Sequence, residues 1–356
     1  MSSSGVSGYA FINARVRVMY SKLLTTEDVV RLSEAADFPA LIPLLKQTAY
    51  GSYLEHINEK DLTPRRAVFQ IKNRLADAYV SVIHAAPEHT HDLLTQFYRY
   101  YEVDNLKAVL RGIVTGARWE RVKFVLFPPI AITNLPAEEM VEAGTVSAAV
   151  ELLRGTPYYE TLSHAIKRYN TEQNLFPLEV ALDLNYWREM WKLVNRLPGQ
   201  DRTQALKIVG GMVDTDNLMW AIRYRVYHHL SEEELINYTL PFGYHVRDSD
   251  IRAIAAGADI AQVVKRIYPG LGDIEASLQE PGEGLPALEL ALKRMVAKQS
   301  LAAFVGDPFH IGIPLAYLLL SEYEIQDLTV LIEAKSSQLP IEAYRPYLLN
   351  GLASNR

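Results

Sequence analysis

Apolar residues recur every three or four positions over three long stretches, 65–84, 178–197 and 285–304, the spacing of one buried helix face. In the first stretch Val68, Ile71, Leu75, Tyr79 and Val82 share that face. Each stretch starts beside a proline, in Thr63-Pro64, Phe176-Pro177 and Gly284-Leu285-Pro286. Proline suits a first turn because the N–H it lacks has no intrahelical partner there. A second set of long helical stretches, the closing ones, follows at 91–116, 202–229 and 313–338. Shorter apolar stripes at 38–45, 147–153 and 261–267 come before. The first two run into Lys46-Gln47-Thr48-Ala49-Tyr50 and Arg154-Gly155-Thr156-Pro157-Tyr158, and the third ends in Arg266-Ile267-Tyr268-Pro269. A terminal cation favours a helix C-terminus, and a following proline ends the helix. Strand-like alternation is scarce, with 121–127 as the one short candidate. The pattern predicts an all-α fold of long helices.

One phrase recurs within the closing stretches: Tyr101-Glu102-Val103-Asp104-Asn105-Leu106, Val213-Asp214-Thr215-Asp216-Asn217-Leu218 and Tyr323-Glu324-Ile325-Gln326-Asp327-Leu328. Aligned on Leu106, Leu218 and Leu328, the copies lie 112 (218 − 106) and 110 (328 − 218) residues apart. Arg111 and Arg223 follow the first two leucines by five residues, and the third copy carries Glu333 instead. A repeat redefines the folding unit. It predicts three similar helical subdomains of about 110 residues, an ordinary domain size, at 9–120, 121–231 and 232–356. Residues 1–8, rich in Ser and Gly, read as a flexible tail. Leu106, Leu218 and Leu328 are expected at equivalent buried positions.

Composition adds limits. A chain of 356 residues with no cysteine has a core large enough to need no staples, and it offers neither disulfides nor thiolate metal sites. The net charge of −6 lacks the basic excess of nucleic-acid binders. The longest apolar runs, 124–132 and 311–320, are interrupted by Pro128-Pro129 and by Pro314. Both fall short of the roughly 18–20 residues that span a bilayer. Residues 1–8 carry no signal-peptide pattern, and a soluble protein is expected.

Signals for chemistry are weak. There is no phosphate-cradling glycine loop, and Gly282-Glu283-Gly284 reads as a linker. His84, His89 and His91 crowd the turn around Pro87 without the i,i+4 spacing that aims two imidazoles at one ion. His228 and His229, being adjacent, point to different helix faces. Asp214, Asp216, Asp248 and Asp250 form two D-x-D pairs of the kind that holds Mg²⁺. The copies replace the first pair by Glu102/Asp104 and Glu324/Gln326, so capping and i,i+4 pairing is the favoured role. The 21 tyrosines read as helix-packing rings with hydroxyls reaching the surface. No catalytic, cofactor or metal residue is expected, and no interface residue is assigned. Two further readings are weighed: a helical-repeat scaffold for protein partners, and an all-α metal-dependent hydrolase using the D-x-D pairs. Solenoid scaffolds repeat every 34–47 residues or so, much less than the period here.

The chain resembles the C subunit of the V-type/A-type rotary ATPases, a relative of the d subunit of eukaryotic V-ATPases. The resemblance is carried by Tyr9-Ala10-Phe11-Ile12-Asn13-Ala14-Arg15-Val16-Arg17-Val18 and by Leu44-Leu45-Lys46-Gln47-Thr48-Ala49-Tyr50-Gly51. Asp104-Asn105-Leu106 and the run from Ile311-Gly312-Ile313-Pro314 to Asp327-Leu328 extend it along nearly the whole chain. Two departures are Asp327, where the family often has Asn, and a terminal basic cluster reduced to Lys335. The resemblance implies a non-catalytic funnel of three subdomains with approximate three-fold symmetry, lying on the cytoplasmic face of the membrane. It would join the D and F stalk subunits to the membrane rotor ring of c-type (K/L) subunits, passing torque for ATP-coupled proton or sodium transport.

Overall fold

The computed structural model describes residues 3–132, 135–271 and 281–349. Every element among them is a helix. The three stretches form Pro64–Ala85, Phe176–Arg196 and Pro281–Ala302, here called the middle helices. The third begins earlier than the expected start at Gly284-Leu285-Pro286, so that Pro286 lies inside it. The stretches carrying the repeated phrase form His91–Val114, Gly199–Val226 and Gly312–Ser336, the closing helices. In the first middle helix Thr63 accepts the Arg66 N–H and Pro64 occupies the first turn, satisfying one donor and removing another. Its buried residues include Val68, Ile71, Leu75, Tyr79 and Val82, the face that the spacing predicts.

The expected strand at 121–127 is not formed. Trp119–Val122 is a helical turn, and a run of turns follows. What reads as alternation is a set of separate anchors. Val122 is buried so close to Gly112 that a Cβ there would lie 2.9 Å from Val122 Cγ2. Phe124 meets Phe69 edge-on at 5.9 Å, and Phe127 is bonded through its backbone to a side chain.

The chain forms two compact units. One comprises Val194–Tyr323 with the first helix, Ser3–Tyr20, up to Arg17. There the Asn13 amide donates to the Pro308 carbonyl, Arg17 to the Phe304 carbonyl at 3.0 Å, and the Ile311 N–H to Asp201 at 2.8 Å. Close approach is made at glycine: a Cβ on Gly211 would sit 3.0 Å from both Val296 and Gln299. The other unit comprises Val18–Leu193 with the segment from Glu324 to 349. Its aromatic core places Tyr79 edge-on to Tyr98 and Tyr101, at 5.5 and 5.6 Å, and stacks Tyr101 on Phe127 at 3.9 Å. Residues 311–325 are buried without a break, which fits the uncharged opening run 312–320 of the closing helix Gly312–Ser336. Pro314 falls in its first turn. No helix among the described residues is long and apolar enough to cross a membrane.

Candidate functional site

Each copy of the repeated phrase builds the same buried polar node from two positions. The first is the acid. Glu102 accepts the Tyr158 hydroxyl at 2.5 Å, Asp214 accepts that of Tyr268 at 3.1 Å, and Glu324 accepts that of Tyr50 at 2.6 Å. These are the tyrosines that mark the ends of the short apolar stripes. A buried carboxylate requires donors, and backbone supplies more of them. Asp214 receives the N–H groups of Tyr244 and His245 at 2.7 and 2.6 Å, and Glu324 that of Leu24 at 2.5 Å. Arg74 adds a charged donor 3.1 Å from Glu324, with both side chains nearly buried. Burial raises the pKa of Glu324 and of Asp214 against these donors. Burial, with the neighbouring carboxylate second, also holds the Tyr50, Tyr158 and Tyr268 hydroxyls protonated far above the usual range.

The second position lies three residues on. Asn105 donates to the Phe127 carbonyl at 2.9 Å and accepts its N–H at 2.7 Å. Asn217 makes the same pair of bonds with Leu240, at 2.9 and 2.7 Å. Asp327 keeps the accepting half, taking the Leu349 N–H at 2.5 Å, and a carboxylate has nothing to donate to the carbonyl. One residue further, Leu106, Leu218 and Leu328 are 1%, 0% and 2% exposed.

Charged residues extend the first two nodes toward the next middle helix. Arg111 grips Glu179 through two bonds of 2.7 and 2.9 Å, and Lys107 bonds Asp183. Arg223 bonds Glu289, which also meets Lys293 at 2.9 Å. Asp183 is pushed up to about 6, because burial outweighs Lys107. A cavity of about 320 Å³ opens beside the first node, bounded by Phe69, Trp119 and Phe127 among others.

The remaining sequence candidates are scattered. Asp214 is neither a cap nor an i,i+4 partner, contrary to expectation: it is fully buried and tied to a loop and a tyrosine. Asp248 does pair with Arg252 at i,i+4. Asp250 accepts the Arg247 N–H and pairs with Arg266. His91 places a ring nitrogen 2.8 Å from the Ala86 carbonyl, and His228 lies edge-on to Tyr224. No group of three or more His, Asp or Glu among the described residues is arranged to hold a metal. Several tyrosine hydroxyls turn inward rather than to the surface, Tyr98 donating to the Pro128 carbonyl at 3.0 Å. The nodes' carboxylates and hydroxyls hold helix to helix, and that is a structural use of polar groups.

The family model described as ATP synthase (C/AC39) subunit matches residues 12–347. The A-type ATP synthase C subunit of Methanocaldococcus jannaschii is 26% identical over 349 residues, covering 96% of this chain and 86% of that protein. The protein of the same name from Archaeoglobus fulgidus is 24% identical, with 94% of each chain covered. That of Haloferax volcanii is 21% identical over 98% of this chain and 99% of its own.

Proposed function

Because the chain belongs to the ATP synthase (C/AC39) subunit family, we propose that it is the non-catalytic central-stalk adaptor of a V/A-type rotary ATPase. It joins the D and F stalk subunits to the membrane ring of c-type subunits and passes torque between them. It sits on the cytoplasmic face of the membrane as a peripheral part of the complex. The observation that carries this reading is the family match over nearly the whole chain. The polar node built three times from one phrase supports it further. A part that bears torque needs seams that hold their geometry, and fully bonded buried polar groups fix geometry more sharply than apolar packing alone. Three similar units, 9–120, 121–231 and 232–356, arranged as a pseudo-three-fold funnel, would place one such seam between each unit and the next. The load is real: one charge moved across about 100 mV stores about 2.3 kcal/mol.

The test is isolation of the native complex. Tagged chain purified from gently solubilised membranes should bring the D and F stalk subunits, the catalytic head and the rotor ring with it. Recovery of the chain alone, from membranes that yield an otherwise complete complex through a tag on the head, would overturn the proposal.

A further inference from the structure

The node tyrosines each close a small module of three short helices, and one of the three modules is split. Trp119–Val122, Ala137–Glu142 and Val146–Glu151 lead to Tyr158 in one continuous stretch. Glu232–Asn237, Asp248–Ala255 and Ile260–Ile267 lead likewise to Tyr268. The first helices begin 13 (119 − 106) and 14 (232 − 218) residues after the phrase leucines. At the same offset from Leu328, 13 residues (341 − 328), comes Ile341–Tyr344, yet the helices that follow it in the pattern are Thr26–Ser33 and Phe38–Lys46, before Tyr50. The two parts meet in space. Lys335 donates to the Ser33 carbonyl at 2.7 Å, Tyr344 reaches the same oxygen at 3.4 Å, and the Lys335 ammonium lies over the Tyr344 ring at 5.4 Å. Glu324 binds Leu24, Tyr50 and Arg74 together, and Arg74 also holds the Lys22 carbonyl at 3.2 Å.

We propose that this split module is the chain's opening point and that Glu324, gripped by Tyr50, Arg74 and the Leu24 N–H, is its latch. In the continuous modules the first helix is tethered to the second by short chain, with starts and ends 15 (137 − 122) and 11 (248 − 237) residues apart. A helix that lets go therefore stays at high effective concentration and recloses. Ile341 follows Tyr50 by 291 residues (341 − 50), so here the halves part independently, and local opening is favoured where fewer links resist it. The latch is also a close ion pair: its guanidinium lies 3.1 Å from the acid, whereas Arg99 stands 4.0 Å from Glu102. Breaking such a nearly buried pair from one side leaves a charge stranded, so the latch is either closed or released. These contacts stand whether or not the rotary reading holds.

Amide hydrogen exchange on the full wild-type chain tests it. Residues 26–46 and 341–349 should lose protection together and at least about tenfold faster than the matching helices at 137–151 and 248–267, as a separate low-energy opening unit would. Glu324→Gln should accelerate exchange in 26–46 and 341–349 and leave 137–151 as it was, while Glu102→Gln does the reverse. Equal protection of the three modules in the wild-type chain would overturn the proposal. So would a Glu324→Gln effect spread evenly over the chain.

Discussion

At the scale of single residues, three acids are buried that a water-soluble surface would leave free, and each is held by a tyrosine far away in sequence. Removing the hydroxyl alone isolates that bond. Tyr158→Phe, Tyr268→Phe and Tyr50→Phe should each lower unfolding free energy by about 1.5–3 kcal/mol, the range for hydrogen bonds to charged groups. Denaturant titration checks this, and three losses under about 0.5 kcal/mol would contradict it. Asn105→Asp and Asn217→Asp remove the donation to the Phe127 and Leu240 carbonyls and bury a charge. A loss of about 1–3 kcal/mol is expected in the same assay. The phrase itself is plain in the sequence because its positions are contiguous. The tyrosines' role is not: Tyr158 and Tyr268 follow their acids by 56 and 54 residues, and Tyr50 precedes Glu324 by 274, so no local period records the pairing. Asp183 gives a prediction in pH. Its folded pKa of about 6 stands above the ordinary value of 3.8, so the folded state binds this proton more tightly. The contribution is therefore fully present below about pH 3.8 and is lost as pH rises through about 6. Stability of the wild-type chain relative to Asp183→Asn should fall across that window, and the Asp183 carboxyl carbon should titrate with a midpoint near 6 by NMR. A midpoint at or below the ordinary carboxylate value would contradict the prediction.

At the scale of elements, the three middle and three closing helices are legible in the sequence. First-turn proline marks the starts of Pro64–Ala85 and Phe176–Arg196, because first-turn proline is a local property of the chain. Pro286 instead lies inside its helix, and the helix Ser3–Tyr20 has no such mark. The short stretch at 121–127 goes the other way. Its alternating residues are fixed by tertiary anchors, Val122 at Gly112 and Phe127 at Asn105, and such anchors override short-range propensity. Glycine in the closing helices is another tertiary signal that propensity misreads. Gly210 lies inside Gly199–Val226, where a Cβ would come 2.6 Å from Tyr244 Cβ. Gly210→Ala should raise helix propensity by about 1 kcal/mol and still destabilise the protein, since the contact is closer than packed carbons tolerate. Thermal unfolding decides the sign, and a higher Tm would show that the loop carrying Tyr244 yields. The charged pairs between closing and middle helices act differently. Arg111 is 60% exposed at its side chain, and an ion pair so open to solvent contributes little to stability, about 0–1 kcal/mol.

At the scale of the whole molecule, the repeat carries most of the meaning. The buried polar residues of the three phrases join one helical stretch to the next. The sequence made that legible through its triple phrase and the resemblance that the family match now supports. The split of the third module was hidden, since its halves occupy opposite ends of the numbering and are brought together by contacts of Ser33, Glu324, Lys335 and Tyr344. The adaptor role is tested most directly by reconstituting the ATPase into vesicles with and without this chain. ATP-driven ion uptake and attachment of the catalytic head to the membrane ring should both be lost without it and restored by adding it back. Uptake and attachment at full level in its absence would contradict the adaptor role.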